Sequence, residues 1–361
     1  MPSNNIFKFA TKELSQDAFI CWCVNWINYP GEPLHQLAAD ILHLLGQENI
    51  DGEIVIKRQF KKADVIFVFP EENRVIILED KTFTSEHDDQ ITKYKKDVYE
   101  AAGELGLSEP EIRTVYFKTG FFYDADELIR YYKKADVIID GEAFLNVIKP
   151  YCGHSEILDS YVEYLRDLIE WYDIYGDFTK KYDDGEWYVR WEHIAQYKLM
   201  RTFFPEEKWD KDTDIFYVDS GSSAGRPWTE ASIIEDKRFM GSNDKYSIFW
   251  RIDSDGDGPY LSLRFYDDMD KSNTDEVSRH KEAYEKMLES IKSIVSKDEI
   301  TLDWERNRLY DGYRGGYKES SLLRIVLTGY LEDWSSKGGQ LIKDVNRITD
   351  DFIAILANLE I

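Results

Sequence analysis

The sequence predicts two α/β regions in succession: a mixed sheet flanked by helices, then an α+β region with a mainly antiparallel sheet. Three observations support this fold class. The first half alternates helical and strand periodicities, the second half places several apolar strand patterns before long helices, and a strongly periodic helix pattern over residues 155–175 joins them. We expect a first domain at residues 1–150, a connecting helix within 151–185 and a second domain at 186–361.

Two helical patterns open the chain, at residues 12–28 and 34–45. Apolar side chains recur at helical spacing in both, and each pattern ends at a residue that stops helices, Pro30 for the first and Gly46 for the second. We therefore predict a helix at each position.

Three strand patterns follow without an intervening helix: EIVIKRQF, ADVIFVF and ENRVIIL. The last two are almost continuously apolar, which is typical of buried strands. Next come a helix pattern at residues 90–105, a strand IRTVYFKTG, a short helix at 125–133 and a strand ADVIID. The order α-α-β-β-β-α-β-α-β predicts a mixed α/β core.

The second half begins with a helix pattern near residues 191–204 and then carries four strand patterns: DIFYVDS, WTEASII, YSIFWRI and YLSLRFY. A helix at 276–295, a short strand ITLDW and a long final helix follow. DSDGDG, between the last two of the four strands, resembles the start of a calcium-binding loop. Arg264 stands where that loop needs a bidentate Glu, so we predict a hairpin turn. DSGSSAGRP is predicted to be a loop.

The chain is acidic, with a formal net charge of −25. A field of that sign repels phosphates, so binding of nucleic acid would require a local basic surface or divalent cations. No apolar run reaches the roughly 20 residues needed to cross a bilayer. The start has no secretory pattern, and the three Cys show no metal-binding spacing. We expect a reduced, cytoplasmic protein without a membrane partner.

Charged side chains end the third strand pattern, at Glu79, Asp80 and Lys81. Because side chains alternate along a strand, Glu79 and Lys81 share one face and Asp80 points to the other. Asp64 begins the preceding strand, and a hairpin between the two strands would place it beside Glu79. Two adjacent carboxylates repel unless a cation lies between them. Asp64, Glu79 and the backbone carbonyl of Asp80 could supply three oxygen ligands to Mg²⁺.

A divalent ion at that position would acidify a bound water, which could then attack a phosphodiester near neutral pH. Lys81 could orient the water or stabilise charge on the phosphate. Gln90 and Tyr94, four residues apart on the next helix, share one helical face and could bind a phosphate or hold the lysine. The residues therefore indicate metal-assisted hydrolysis of a phosphodiester.

Asp64, the run Glu79-Asp80-Lys81 and the motif Gln90-Ile-Thr-Lys-Tyr94 resemble the PD-(D/E)XK nuclease superfamily, in particular members with a Gln-x-x-x-Tyr motif. The αα-βββ order is also similar to that family. The resemblance covers residues 12–140. It implies a nuclease that depends on Mg²⁺ or Mn²⁺, with Asp64 and Glu79 as metal ligands and Lys81 as a catalytic residue. It implies a nucleic acid substrate, with DNA expected, and a role in defence against foreign DNA.

Two departures from the family pattern concern the region of the metal. Ala63 stands where the family commonly has Pro, and two acids on the first helix, Glu13 and Asp17, compete for the additional metal-facing position. We favour Glu13. His87 is expected to be a solvent-facing loop residue.

Several alternatives remain open at this point. Glu79 and Lys81 could be a strand-end ion pair without function, the fold could be a catalytically silent interaction protein, or the substrate could be RNA. The acidic charge could be offset by a partner subunit, or by a basic rim consisting of Lys57, Arg58, Lys61, Lys62, Lys93 and Lys96. A homo-oligomer is also possible.

Overall fold

The structure is a computed structural model that describes residues 4–10, 12–48, 50, 52–82, 89–122, 134–210, 212–240, 243–297, 299–302, 307–313 and 318–359. The described residues form two units, the first ending at Asp173 and the second beginning at Ile174. Each unit contains its own sheet. The short helix predicted at 125–133 and His87 lie outside the described residues.

The first unit contains the helices α1 (Glu13–Asn25), α2 (His35–Leu44), α3 (Gln90–Glu100), α4 (Gly141–Ile148) and most of α5 (Glu156–Tyr175). The two helices predicted at the start of the chain are present, with slightly shorter bounds. Helix α4 was not predicted. Its capping signal is nevertheless in the sequence, because Asp140 accepts a hydrogen bond from the backbone N–H of Ala143 at the helix start.

Among the described residues of this unit, five strands form the sheet: β1 (Val55–Phe60), β2 (Ala63–Phe69), β3 (Arg74–Lys81), β4 (Glu111–Lys118) and β5 (Val137–Asp140). They lie side by side in that order. Strands β1, β2 and β3 are antiparallel, whereas β3, β4 and β5 are parallel. The predicted mixed sheet is confirmed.

Helices cover both faces of β2 and β3, which explains their nearly continuous apolar sequences. Phe67 and Leu78 belong to the cluster that α1, α2, α4 and α5 build on one face. Ile66 and Ile77 project to the opposite face and pack with residues of α3, including Tyr94. We call these the α1 face and the α3 face.

A two-residue turn joins β1 to β2, since Phe60 pairs with Ala63. Its central residues, Lys61 and Lys62, have φ angles of 51° and 74°. A hairpin turn with two left-handed central residues is ordinarily made by Asn-Gly. Residues with a side chain are less stable in this conformation by roughly 1–2 kcal/mol each, so two lysines here strain the turn.

The second unit has a sheet of six strands within its described residues: β6 (Val218–Ser223), β7 (Arg226–Arg238), β8 (Lys245–Asp255), β9 (Gly258–Asp267), β10 (Arg308–Leu309) and β11 (Glu319–Val326). Their spatial order is β10-β11-β9-β8-β7-β6, and each recorded pair is antiparallel. The helices are α6 (Tyr188–Trp191), α7 (His193–Phe203), α8 (Thr274–Val295), α9 (Thr328–Leu331) and α10 (Trp334–Leu356). No helix in the described ranges is both long and apolar enough to traverse a bilayer.

The mainly antiparallel sheet and the hairpin at DSDGDG agree with prediction, because Asp255 pairs with Gly258. Three details were wrong. DSGSSAGRP is mostly strand, in β6 and β7, and residues 300–302 of ITLDW are not a strand. Strand β11 was missed, because a register shift between Ser321 and Leu323 breaks its alternation of apolar and polar residues.

Gly120 follows β4 at the point where the chain passes close to the end of β3. A Cβ atom at this position would lie 1.6 Å from the carbonyl oxygen of Thr82. The backbone N–H of Thr119, one residue earlier, donates to the carbonyl of Lys81 at 3.1 Å. Only glycine therefore allows the parallel ladder to continue past the charged end of β3.

We expect Gly120→Ala to lower the free energy of unfolding by about 3 kcal/mol, since the new methyl group forces β3 and β4 apart. Urea denaturation measures the change. Gly103→Ala is the matched control, because a Cβ there meets no atom within 4 Å, and it should change the value by less than about 0.5 kcal/mol. Equal effects from the two substitutions would contradict a steric constraint at Gly120.

Candidate functional site

The pairing of β2 with β3 places two acids side by side. Val65 pairs with Leu78, so the next residues toward the site, Asp64 and Glu79, lie across from each other on adjacent strands. Asp64, Glu79 and Lys81 alternate with residues of the α1 face and therefore project together on the α3 face. The sequence predicted this arrangement.

Hydrogen bonds connect these three residues. Lys81 Nζ lies 2.5 Å from Glu79 Oε1 and 3.3 Å from the backbone oxygen of Asp80. Asp64 Oδ2 accepts a hydrogen bond from the backbone N–H of Asp80 at 3.1 Å. Two carboxyl groups, one amine and one backbone carbonyl thus meet at the ends of two strands.

Burial sets the protonation of this group. Glu79 is 2% exposed, and burial together with the charge of Asp64 raises its pKa to about 7, although Lys81 acts in the opposite direction. Burial alone would lower the pKa of Lys81, but the carboxylates of Glu79 and Asp64 outweigh it and the pKa is raised. The amine therefore stays charged at neutral pH, while Glu79 is close to its titration point.

Gln90 and Tyr94 complete the α3 side of the site. Gln90 Nε2 donates to Tyr94 Oη at 3.2 Å. Burial and the charges of Glu79 and Asp64 raise the pKa of Tyr94. The phenol therefore stays protonated and remains a hydrogen-bond donor near the two acids.

The two acids of α1 lie in different places. Glu13 is half-buried, and its Oε1 accepts from the backbone N–H of Thr82, just beyond β3, at 3.3 Å. Asp17 is 1% exposed and contacts the carboxyl group of Asp80. Burial and the charge of Asp64 raise the pKa of Asp17 to about 6, although Arg58 lies 3.8 Å away.

The Asp80 side chain points to the α1 face, where Gln16 Nε2 donates to its Oδ1. Gln16 Oε1 accepts from Thr119 at 2.9 Å and from Tyr161 at 3.0 Å. One amide thus joins α1, the end of β3, the residue after β4 and α5. This amide holds the strand end that carries Glu79 and Lys81.

Sequence reasoning missed Gln16, Thr119 and Tyr161. A signal for Gln16 was present, because it precedes the buried residues Ile20 and Cys23 by four and seven positions. That spacing puts Gln16 on the buried side of α1. A buried glutamine needs partners, but the sequence does not say which groups they are.

The side chains and backbone around Asp64 and Glu79 offer oxygen atoms that could hold a divalent ion. Within the residues that the structure describes, no three His, Cys, Asp or Glu side chains are grouped closely enough to hold a metal ion. The chemistry of the individual groups does suit a hard cation: Asp64, Glu79 and the Asp80 carbonyl all offer oxygen. Glu79 Oε2 is buried and receives no hydrogen bond from a described donor. These residues fit a cation that takes oxygen ligands and retains several waters.

Residues 4–139 match the model of a family within the PD-(D/E)XK nuclease superfamily. Over these residues the chain is similar to that superfamily. The match extends from before α1 into β5, and it confirms the family resemblance that the sequence predicted. We refer to this region as the nuclease domain; its general class is that of the nuclease hydrolases, which generally use divalent metal ions. No curated protein and no solved structure gave a match to the chain.

The raised pKa of Glu79 predicts how the stability of the metal-free protein depends on pH. Folding raises this pKa from 4.5 to about 7. Protonated Glu79 therefore stabilises the fold below pH 4.5, and that stabilisation is lost as the pH rises through 7. The shift corresponds to about 3 kcal/mol.

We expect wild-type protein to lose stability relative to Glu79→Gln between pH 4.5 and 8.5, since glutamine stays neutral. Urea denaturation in the presence of EDTA measures both curves. Other buried acids, including Asp17, contribute equally to the two proteins, so the difference between the curves isolates Glu79. Parallel curves would show that Glu79 ionises at its ordinary pKa.

Proposed function

We propose that the nuclease domain hydrolyses phosphodiester bonds of nucleic acid, with DNA as the substrate, in a reaction that depends on Mg²⁺ or Mn²⁺. One observation carries the proposal: the Asp64 and Glu79 carboxyl groups meet beside the Lys81 amine on one face of the sheet. This meeting lies within the region that matches a nuclease family. Gln90 and Tyr94 belong to the same catalytic group.

Asp64, Glu79 and the carbonyl of Asp80 are the proposed metal ligands. Burial and then repulsion from Asp64 raise the pKa of Glu79, and a cation between the two carboxyl groups would relieve that repulsion. The partial exposure of Asp64 leaves the site open to solvent. A divalent cation held there supplies positive charge to the phosphate and lowers the pKa of a neighbouring water. Glu13 is the proposed additional acid, because Asp17 is buried against Asp80.

Lys81 has two proposed roles. Its ammonium group bonds Glu79, which fixes the orientation of that carboxyl group. The remaining N–H donors can bind a non-bridging oxygen of the scissile phosphate, where negative charge increases during hydrolysis. Tyr94 keeps its proton and can donate to the same phosphate, while Gln90 fixes the position of its hydroxyl.

Metal binding and cleavage are expected to separate in three variants. Asp64→Ala and Glu79→Ala should abolish Mn²⁺ binding in titration calorimetry, because each removes a ligand. Lys81→Met should still bind Mn²⁺, but its cleavage of plasmid DNA should fall by about 10²–10³-fold, as expected for loss of one charge-stabilising group. Glu100→Ala, which removes an exposed acid of α3, is the matched control and should leave both properties unchanged.

Other outcomes of this experiment identify the alternatives. Equal Mn²⁺ binding by wild type, Asp64→Ala and Glu79→Ala, without cleavage, would favour a silent interaction protein with a nuclease fold. Metal-dependent cleavage of RNA but not of DNA would retain the chemistry and change the substrate.

A further inference from the structure

The hairpin of β1 and β2 concentrates positive charge in an acidic chain. Residues 57–62 read Lys-Arg-Gln-Phe-Lys-Lys, with four cations in six positions, whereas the whole chain has a net charge of −25. Arg58 turns to the α1 face, where it bonds the Leu14 carbonyl at 3.0 Å and lies 3.8 Å from Asp17. Three lysines of the hairpin, Lys57, Lys61 and Lys62, remain at least partly exposed.

The hairpin lies next to the two acids of the candidate site. Lys57 pairs with Ile66, so it projects on the α3 face, on the strand beside β2 and two residues along from Asp64. Strand spacing places the Cα atoms of Lys57 and Asp64 about 8 Å apart. Gln59 Nε2 also lies 3.4 Å from Asp64 Oδ1. A polyanion that is bound at Asp64, Glu79 and Lys81 and extends across the sheet toward β1 would therefore contact this hairpin.

Local structure does not account for lysine at the turn. Lys61 and Lys62 are both left-handed, a conformation that favours Asn and Gly over lysine. The ion pair of Lys61 with Glu104, at 2.8 Å, is exposed on both sides, and such pairs contribute little to stability. The ring of Phe60 lies 5.3 Å from Lys57 Nζ and 5.6 Å from Lys61 Nζ, so both cations lie close to the same aromatic side chain. Backbone strain of this kind is often found at binding sites.

We propose that the β1–β2 hairpin is a phosphate-binding arm, in which Lys57, Lys61 and Lys62 contact the DNA backbone beside the scissile phosphodiester. The proposal rests on the proposed nuclease function for the identity of the polyanion. Contacts to phosphate carry no sequence information, so the arm places the strand without selecting a sequence. It also supplies the local positive charge that the chain as a whole lacks.

The double substitution Lys61→Asn with Lys62→Gly separates binding from stability. It installs the residues that the turn geometry favours and removes two charges, so the protein should melt at a higher temperature and bind DNA more weakly. Binding is measured by fluorescence anisotropy with a labelled duplex of about 20 base pairs, in EDTA to prevent cleavage. Affinity at low salt should fall at least tenfold. The slope of log K against log salt should become shallower by about 2, one phosphate for each lysine.

Two controls accompany this experiment, and the first matches the loss of two positive charges. Lys281→Gln with Lys286→Gln removes two cations from the exposed side of α8 and should alter DNA affinity less than twofold. Glu104→Gln breaks the Lys61 ion pair but keeps both lysines, so its affinity should be equal to or higher than that of wild type.

If the double variant Lys61→Asn with Lys62→Gly kept the wild-type slope of log K against log salt, the proposed role of the arm in binding phosphate would be wrong, whatever the cleavage result. Conversely, wild-type protein that binds the duplex through these lysines but never cleaves it with Mn²⁺ would support the arm and refute the catalytic proposal. The two proposals can therefore fail separately.

Discussion

The register of β2 against β3 is the constraint on which the candidate site depends. Val65 opposite Leu78 sets Asp64 beside Glu79, and a slip of one residue would turn either acid to the α1 face. The apolar pattern alone does not fix this register, since both strands are buried on both faces. Two hydrogen bonds at the strand end fix the register. The Asp80 carboxyl group accepts one from Gln16, and the Asp80 backbone N–H donates the other to Asp64.

The two faces at the end of β3 give their carboxyl groups different surroundings. On the α1 face, burial and then the charge of Asp17 raise the pKa of Asp80 well above its usual value, and Gln16 bonds it, which makes this pair a structural feature. On the α3 face, Asp64 remains partly exposed and Glu79 has an amine beside it. Only the second pair combines access to solvent with a cationic partner. Acids of the same type therefore serve different purposes because of what surrounds them.

An element could be predicted from the sequence where the local pattern of apolar and polar residues matched their burial in the structure. β3 could be predicted because four consecutive apolar residues, 75–78, are followed by three charged ones, and alternation alone assigned the faces of those three. β11 could not, because a bulge interrupts its period and most of its pairing is with β9, which is distant in sequence. Gln16 lies between these cases. Its burial follows from helical spacing, but its bonds to Thr119 and Tyr161 depend on how α5 packs, which no local pattern encodes.

The contacts of Tyr161 show where the nuclease domain ends along the chain. Its hydroxyl bonds Gln16, and its ring stacks on Phe19 at a centroid distance of 3.7 Å. It lies beyond residue 139, where the family match ends. Residues 4–139 therefore do not enclose their own core, and a fragment that ended at residue 139 would expose Gln16 and Phe19, which lie behind the end of β3, to water.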